Sequence, residues 1–218
     1  MSSLAEAAAW QTTMRARVEH ADRLEPVRLV AGCDASYGRH ARTVRAAVVV
    51  IDASTMETVD RAEVEAETNF PYVPGYLTFR EAPAMEAAFA RLRHRPDLLL
   101  VDGHGWAHPR RFGIACHLGV SLDLPAIGVG KSLLIGEEGP LAHERGATAP
   151  LVHRGEVIGV TLRTRAGVRP VYVSVGHRVG LASAVRLVLS CGGGFRIPEP
   201  IRRADQLVGR LVTPPRTP

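Results

Sequence analysis

The apolar positions of this chain change period several times along its length. Residues 3–23 carry a helical stripe that includes Leu4, Ala8, Met14 and Val18. Three strand-like runs follow: Arg28–Ala35, Val44–Ile51 and Glu57–Glu65. The second is β-branched and apolar on both faces, which places it centrally in a sheet. The third alternates and reads as an edge. The short polar connections 37–43 and 52–55 suit antiparallel hairpins. Asn69-Phe70-Pro71-Tyr72-Val73-Pro74-Gly75-Tyr76 is too rich in Pro and Gly for regular structure. A helix is predicted after it, to about Arg93. A short buried strand (Asp97–Val101), a helix (Phe112–Leu122) and another strand (Ala126–Val129) come next. The polar, Gly-rich stretch 136–155 reads as a loop. Glu156–Thr164 and Val171–Val175 read as a hairpin around 165–167. A helix over Leu181–Cys191 and a basic tail, PEPIRRADQLVGR, close the chain, with 213–218 read as disordered.

A three-strand meander followed by β-α-β crossovers predicts one α/β domain over residues 1–212. Its mixed sheet would carry helices on both faces. That element order is also how the ribonuclease H-like fold begins.

Composition narrows the class. The 218 residues are 46% hydrophobic and 22% charged, ordinary globular values that exclude wholesale disorder. Three cysteines without paired spacing fit neither a disulfide scaffold nor a zinc ribbon. The first 25 residues interleave acids and bases and lack a secretory apolar region. The longest apolar run, 46–51, is too short to span a bilayer. A cytoplasmic protein without membrane association is therefore expected. The net charge of +5 favours an anionic partner. Of the 27 basic residues 26 are Arg, and the single lysine is Lys131.

Two acids close apolar strands. Asp34 ends Leu29-Val30-Ala31-Gly32-Cys33-Asp34, and Asp102 ends Leu98-Leu99-Leu100-Val101-Asp102. Each could simply start a turn. Together they fit a shared site for Mg²⁺, which prefers oxygen ligands. Glu81 fits a capping box with Thr78 and equally an active-site acid; Pro83 argues for a later helix start that would free it. His177, after Gly176 at a strand's end, could be solvated or act in acid–base chemistry. His104 and His108 have the spacing of half a zinc site, but no second pair completes it.

Six segments in order resemble the endonuclease V family: VAGCDASY (30–37), FPYVPGYLTFREAP (70–83), PDLLLVDGHGWAHPRRFGIACHLGV (96–120), IGVGKSLL (127–134), GEVIGVTLRTRAGVRPVYVSVGHRV (155–179) and RIPEPIRRAD (196–205). The resemblance implies a ribonuclease H-like fold. It also implies a DNA repair endonuclease that recognises deoxyinosine and cuts the second phosphodiester 3′ to it, leaving 3′-hydroxyl and 5′-phosphate. By position it makes Asp34 and Asp102 Mg²⁺ ligands, with Mn²⁺ able to substitute. Glu81, His177 and Lys131 become further catalytic residues. Tyr72 becomes a wedge, and Gly75, Leu77, Gly103, Gly105, His108 and Ile114 become DNA-contacting residues around a flipped base. A monomer is expected, acting on deoxyinosine DNA, with inosine-containing RNA as the alternative substrate.

Two positions depart from the family pattern. Trp106 replaces a smaller aliphatic residue, and Gly130 stands where Ala is common; both were expected to border the pocket. Arg80, Arg110, Arg111 and Arg178 are candidate phosphate contacts. The competing readings are a nuclease of the same fold with another specificity and a non-catalytic nucleic-acid binder. The intact acidic set argues against the binder.

Overall fold

The computed structural model describes residues 3–38 and 41–212. The predicted tail 213–218 lies outside them. One mixed nine-stranded sheet runs through the molecule in the order β3-β2-β1-β4-β5-β9-β8-β7-β6. Its first three strands, β1 (Leu29–Ser36), β2 (Thr43–Asp52) and β3 (Thr58–Glu67), form the predicted antiparallel meander. β3 alternates exposed and buried residues, as an edge strand should. β4 (Leu98–Asp102) lies parallel to β1, and β5 (Ala126–Gly130) parallel to β4. These three central strands are nearly continuous apolar runs because both their faces are covered.

α2 (Thr78–Phe89) and α3 (Ile114–Ser121) cover one face, packing Ala82, Met85, Ala88 and Leu118 on Ala31, Cys33, Leu99 and Val101. α4 (Leu181–Ser190) and α5 (Glu199–Val212) cover the other, over Val30, Leu98, Leu100 and Ile127. Alternation along β1 and β4 sends Asp34 and Asp102 to the α4/α5 face, beside Val30, Leu98 and Leu100.

Three elements depart from the expected layout. The first helix, α1, covers only Leu4–Met14, with a 3-10 turn over Arg15–Arg17. Residues 18–23 are recruited instead as a strap across the β9–α4 connection. Arg178 N–H donates to Glu19 O at 2.7 Å and Arg23 N–H to Arg178 O at 3.1 Å. Asp22 caps α4 in trans, accepting from Gly180 N–H (2.6 Å) and the Ser183 hydroxyl (2.7 Å). The expected loop 136–155 contains β6 (Glu137–Glu138) and β7 (Thr148–His153), which extend the β8 (Glu156–Leu162) and β9 (Val171–His177) hairpin outward. The basic tail is α5, whose apolar residues Ile201, Ala204 and Val208 are buried.

α5 sits on the sheet at glycine distance. A Cβ on Gly32 would lie 2.1 Å from the Pro200 carbonyl carbon and 2.3 Å from Ile201 N. Backbone, rather than a flexible side chain, occupies that space, so Gly32→Ala must displace α5. We expect it to destabilise the fold by about 1–3 kcal/mol or more, as overpacked cores do. Equilibrium urea denaturation measures this; a stability within 0.5 kcal/mol of wild type would show that α5 docks more loosely.

Candidate active site

The strand register places two like charges side by side. Cys33 pairs with Val101, so Asp34 and Asp102 emerge next to each other from parallel strands. The Asp102 and Asp205 carboxyls both lie close enough to raise the Asp34 pKa, and Asp205 comes from α5. Lys131 follows β5 and sets its ammonium 2.5 Å from Asp102 and 3.5 Å from Asp205. Glu81 arrives from α2, on the other face of the sheet. Thr78 is its helix's first residue and caps nothing, so the predicted capping box is absent. Glu81 instead accepts a 2.5 Å hydrogen bond from the Tyr37 hydroxyl.

Burial and mutual repulsion govern the charges. Desolvation, followed by the Asp102 charge, holds the Asp34 carboxyl well above the usual carboxylate range, while Lys131 offsets part of the rise. Burial pushes Glu81 up to about 7; the Tyr37 hydrogen bond pulls against this and the Asp102 charge adds to it. Burial also disfavours the Lys131 ammonium, but Asp102, Asp34 and Asp205 outweigh it and raise its pKa. The donors are hard oxygens, and their crowding is relieved by positive charge. That is the donor chemistry a divalent cation of the Mg²⁺ class requires. Among the described residues no three acid, histidine or cysteine side chains already converge as ligands on one point.

A cavity of about 330 Å³ opens beside the acids, at the small end for a ligand site and suited to one base rather than a base pair. Asp34, Glu81, Asp102 and Lys131 form one wall. Tyr72, Gly75, Leu77, Gly103, His108 and Ile114 form much of the rest. Tyr72 is 51% exposed at the rim. Gly75 takes φ +80°, and its carbonyl accepts from His108 Nε2 at 2.9 Å and Arg110 Nη2 at 2.5 Å. His108 Nδ1 accepts from the Arg110 backbone N–H, fixing the tautomer. Burial, then the Arg110 charge, lowers the His108 pKa to about 3, so the ring is neutral.

Other predicted site residues lie elsewhere. His177 pairs with Ala126, at the end of β5 opposite Lys131. Four residues of strand separate those ends, about 13 Å. The buried ring accepts from Glu19 N–H at 3.3 Å and holds the N-terminal strap. Gly105 lies behind the cavity: its N–H donates to Ser174 Oγ, and a Cβ there would stand 2.1 Å from Val175 O. Trp106 does not border the cavity. It donates to Glu156 and stacks edge-on against His20. Gly130 does border it, because a Cβ there would meet the His104 ring at 2.4 Å. That ring bonds through Nε2 to Ser132 O at 3.0 Å, beside Lys131.

The four candidate phosphate arginines are committed to structural contacts. Arg80 ties Phe70 O to Ala41 O, and Arg110 holds Gln11 and Gly75. Arg111 pairs with Glu156, and Arg178 with Glu19 and Asp123.

Asp205 was missed because it sits in a stretch read only as a basic tail; recognising the helical spacing of Ile201, Ala204 and Val208 would have found α5. Leu133 and Leu134, exposed at the cavity mouth, were missed too. Their signal was an apolar pair beginning three residues after a strand.

The family model for Endonuclease V matches residues 12–206. The chain belongs to the endonuclease V family. It is a hydrolase of the endodeoxyribonuclease class. An endonuclease V from Roseiflexus sp. (strain RS-1) is 54% identical over 212 residues, covering 96% of this chain and 95% of that protein. The solved endonuclease V of Streptomyces avermitilis is 43% identical with a TM-score of 0.91, over 97% of this chain and 94% of that one. The catalytic domain of human endonuclease V is 35% identical with a TM-score of 0.89, covering 96% and 95%. The enzyme from Ciona intestinalis, crystallised with a 24-mer DNA containing an inosine followed by a ribo-adenosine, is 28% identical with a TM-score of 0.79, covering 96% and 97%. These matches bear out the ribonuclease H-like architecture. Members of the endonuclease V family are generally metal-dependent. No helix among the described residues is long and apolar enough to cross a membrane.

The raised Glu81 pKa has a pH signature. A carboxyl that ionises at about 7 folded and near 4.5 unfolded binds more protons in the folded state between those values. Its charge therefore costs stability as pH rises through that window. In EDTA, Glu81→Gln should be more stable than wild type at pH 8, by on the order of 1–3 kcal/mol, and equal to it near pH 4.5. Thermal melts at the two pH values check this; a gain independent of pH would place its cause elsewhere.

Proposed function

We propose that the chain is a Mg²⁺-dependent repair endonuclease that extrudes deoxyinosine from DNA and cuts the second phosphodiester 3′ to it. The observation that carries this reading is the base-sized cavity sharing one wall with the Asp34–Asp102–Glu81 acids and its rim with exposed Tyr72. Asp34 and Asp102 would hold Mg²⁺, or Mn²⁺ in its place, with Asp205 as a further oxygen donor. The bound cation supplies charge neutralisation at the phosphate and a more acidic water.

The chain's own residues do the rest. Glu81, with a pKa near neutrality, is matched to accept a proton from the attacking water. That water adds to phosphorus, the bond to the 3′-oxygen breaks, and the departing oxygen takes a proton from solvent water to leave as a hydroxyl. Lys131 is a compact cation beside the acids and would meet a phosphate oxygen. Tyr72 fills the gap left by the extruded base and offsets unstacking that costs a few kcal/mol. The His108 and Arg110 bonds to Gly75 O hold the wedge loop in advance of binding, which reduces the ordering cost. His177 is a positioning group for the strap in this reading, and Gly105 a packing residue. Every site residue comes from one chain, so a monomer suffices.

A second reading, inosine-containing RNA as substrate, keeps the same chemistry and differs at the 2′-hydroxyl.

Labelled inosine duplex, the matched unmodified duplex and the inosine RNA, each with Mg²⁺, test the proposal. Preferential nicking of inosine DNA is expected; equal cutting of both duplexes would overturn it, and faster cutting of RNA would favour the second reading. Asp34→Ala should lower cleavage by more than about a hundredfold while retaining lesion binding in a gel shift. Tyr72→Ala should lower discrimination for inosine more than overall binding; unchanged discrimination would make Tyr72 a loop anchor.

A further inference from the structure

Tyr72 separates two concave surfaces. One is the cavity beside the acids. The other, about 620 Å³, is lined by Ala41, Arg42, Thr68, Asn69, Phe70, Pro71 and Arg80, with Tyr72 as the shared wall. Its frame is fixed by bonds on several sides. Thr68 N–H donates to Arg42 O at 2.7 Å, continuing the β2–β3 ladder beyond Thr43 and Glu67. Arg80 joins the two rims, donating to Phe70 O and Ala41 O at 2.6 Å each. Phe70 stacks on Phe79 at 5.3 Å.

The arginines of this cleft make no ion pair among the described residues, although the Arg80 charge is felt by Glu81 behind it. Arg80 is only 5% exposed, and its Nε has no hydrogen-bond partner. Among the described residues neither Arg80 nor the exposed Arg42 has a carboxylate within ion-pair distance, whereas Arg111, Arg178, Arg202 and Arg203 all do. Among the described residues no acid lines the cleft. The exposed Arg42 guanidinium, with the positive charge of Arg80 behind it, the Asn69 amide and the face of a tyrosine ring form a set that recognises a nucleotide. Guanidinium suits phosphate, an amide reads a base edge, and a ring stacks on a base.

We propose that this cleft is a second nucleotide subsite, holding the complementary-strand nucleotide left unpaired when the lesion base is extruded. The proposal rests on the reading of Tyr72 as a wedge. A ring inserted between the strands has the extruded base on one side and the orphaned nucleotide on the other. The two cavities stand in that relation to Tyr72, and only the second combines positive charge with a lining free of acids.

The experiment uses Arg42→Glu and Asn69→Ala, both at exposed positions outside the catalytic machinery, with folding checked by thermal melts. Arg154→Glu, an exposed arginine in the β7–β8 turn at the opposite end of the sheet, controls for net charge. Steady-state cleavage is measured on one inosine oligonucleotide, single-stranded and annealed to its complement. Arg42→Glu should raise KM on the duplex about tenfold with kcat within twofold, leave the single strand unchanged, and reduce the duplex salt slope by about one. Asn69→Ala should raise KM on the duplex less, and that rise should vanish when the complement carries an abasic site opposite inosine. Equal losses on single strand and duplex would overturn the proposal by assigning the cleft to the cut strand. So would no change on either, or a matching effect of Arg154→Glu. Failure of the underlying wedge reading shows separately, as wild-type protein that nicks inosine and unmodified duplexes at the same rate.

Discussion

Two carboxylates at the ends of neighbouring parallel strands set the terms for the rest of this structure. Asp34 and Asp102 cannot relax apart, because their separation is fixed by the β1–β4 ladder rather than by side-chain freedom. Burial, and then their weakly screened repulsion, raises the Asp34 pKa. Everything nearby answers that charge. Lys131 is drawn against Asp102, Tyr37 donates to Glu81, and the cavity opens beside the acids. The arrangement is unfavourable for an empty protein and favourable for one binding cations. Functional sites commonly carry such local cost.

The site is completed by elements distant in sequence that only close packing brings together. Gly32 lets α5 lie directly on β1, and that approach delivers Asp205 to Asp34. Gly130 does the same on a smaller scale, admitting the His104 ring against β5, where it holds the backbone next to Lys131. In both places a methyl group would occupy space already filled, so the glycines act through distance rather than flexibility. The N-terminal strap belongs to the same economy of contacts. It ties Glu19 and Asp22 to the far end of β9 and to α4, using His177 and Arg178 as anchors.

Several arginines are taken up by contacts within the molecule rather than left free on its surface. Arg80, Arg110 and Arg111 each bridge backbone carbonyls or acids, and Arg80 and Arg110 stiffen the loop that carries Tyr72. Net charge therefore said little about where nucleic acid would lie. What distinguishes the Tyr72 region is a local imbalance, with positive groups on one side of the ring and acids on the other.

The order of strands, the buried character of β1, β2, β4 and β5, and the candidate roles of Asp34, Glu81, Asp102, Lys131 and Tyr72 were legible in the sequence. Strand periodicity is local, and the family motifs are contiguous. Four things were not legible. α5 looked like a tail because its buried face is spaced among arginines, and its partner is β1, more than 150 residues earlier. β6 and β7 looked like loop because short strands at a sheet's margin are stabilised by cross-strand neighbours, not by their own pattern. His177 looked catalytic because a motif records which residues recur and not which end of a strand they occupy. The antiparallel pairing of β9 with β5 decides that, and it points His177 away from the acids. The partner that holds Glu81 was not legible either, because Tyr37 lies 44 residues away. Sequence determines which residues can do chemistry and which segments can be strands. Register, strand direction and closest approach between elements decide which of those residues meet, because these depend on pairings that no local pattern encodes.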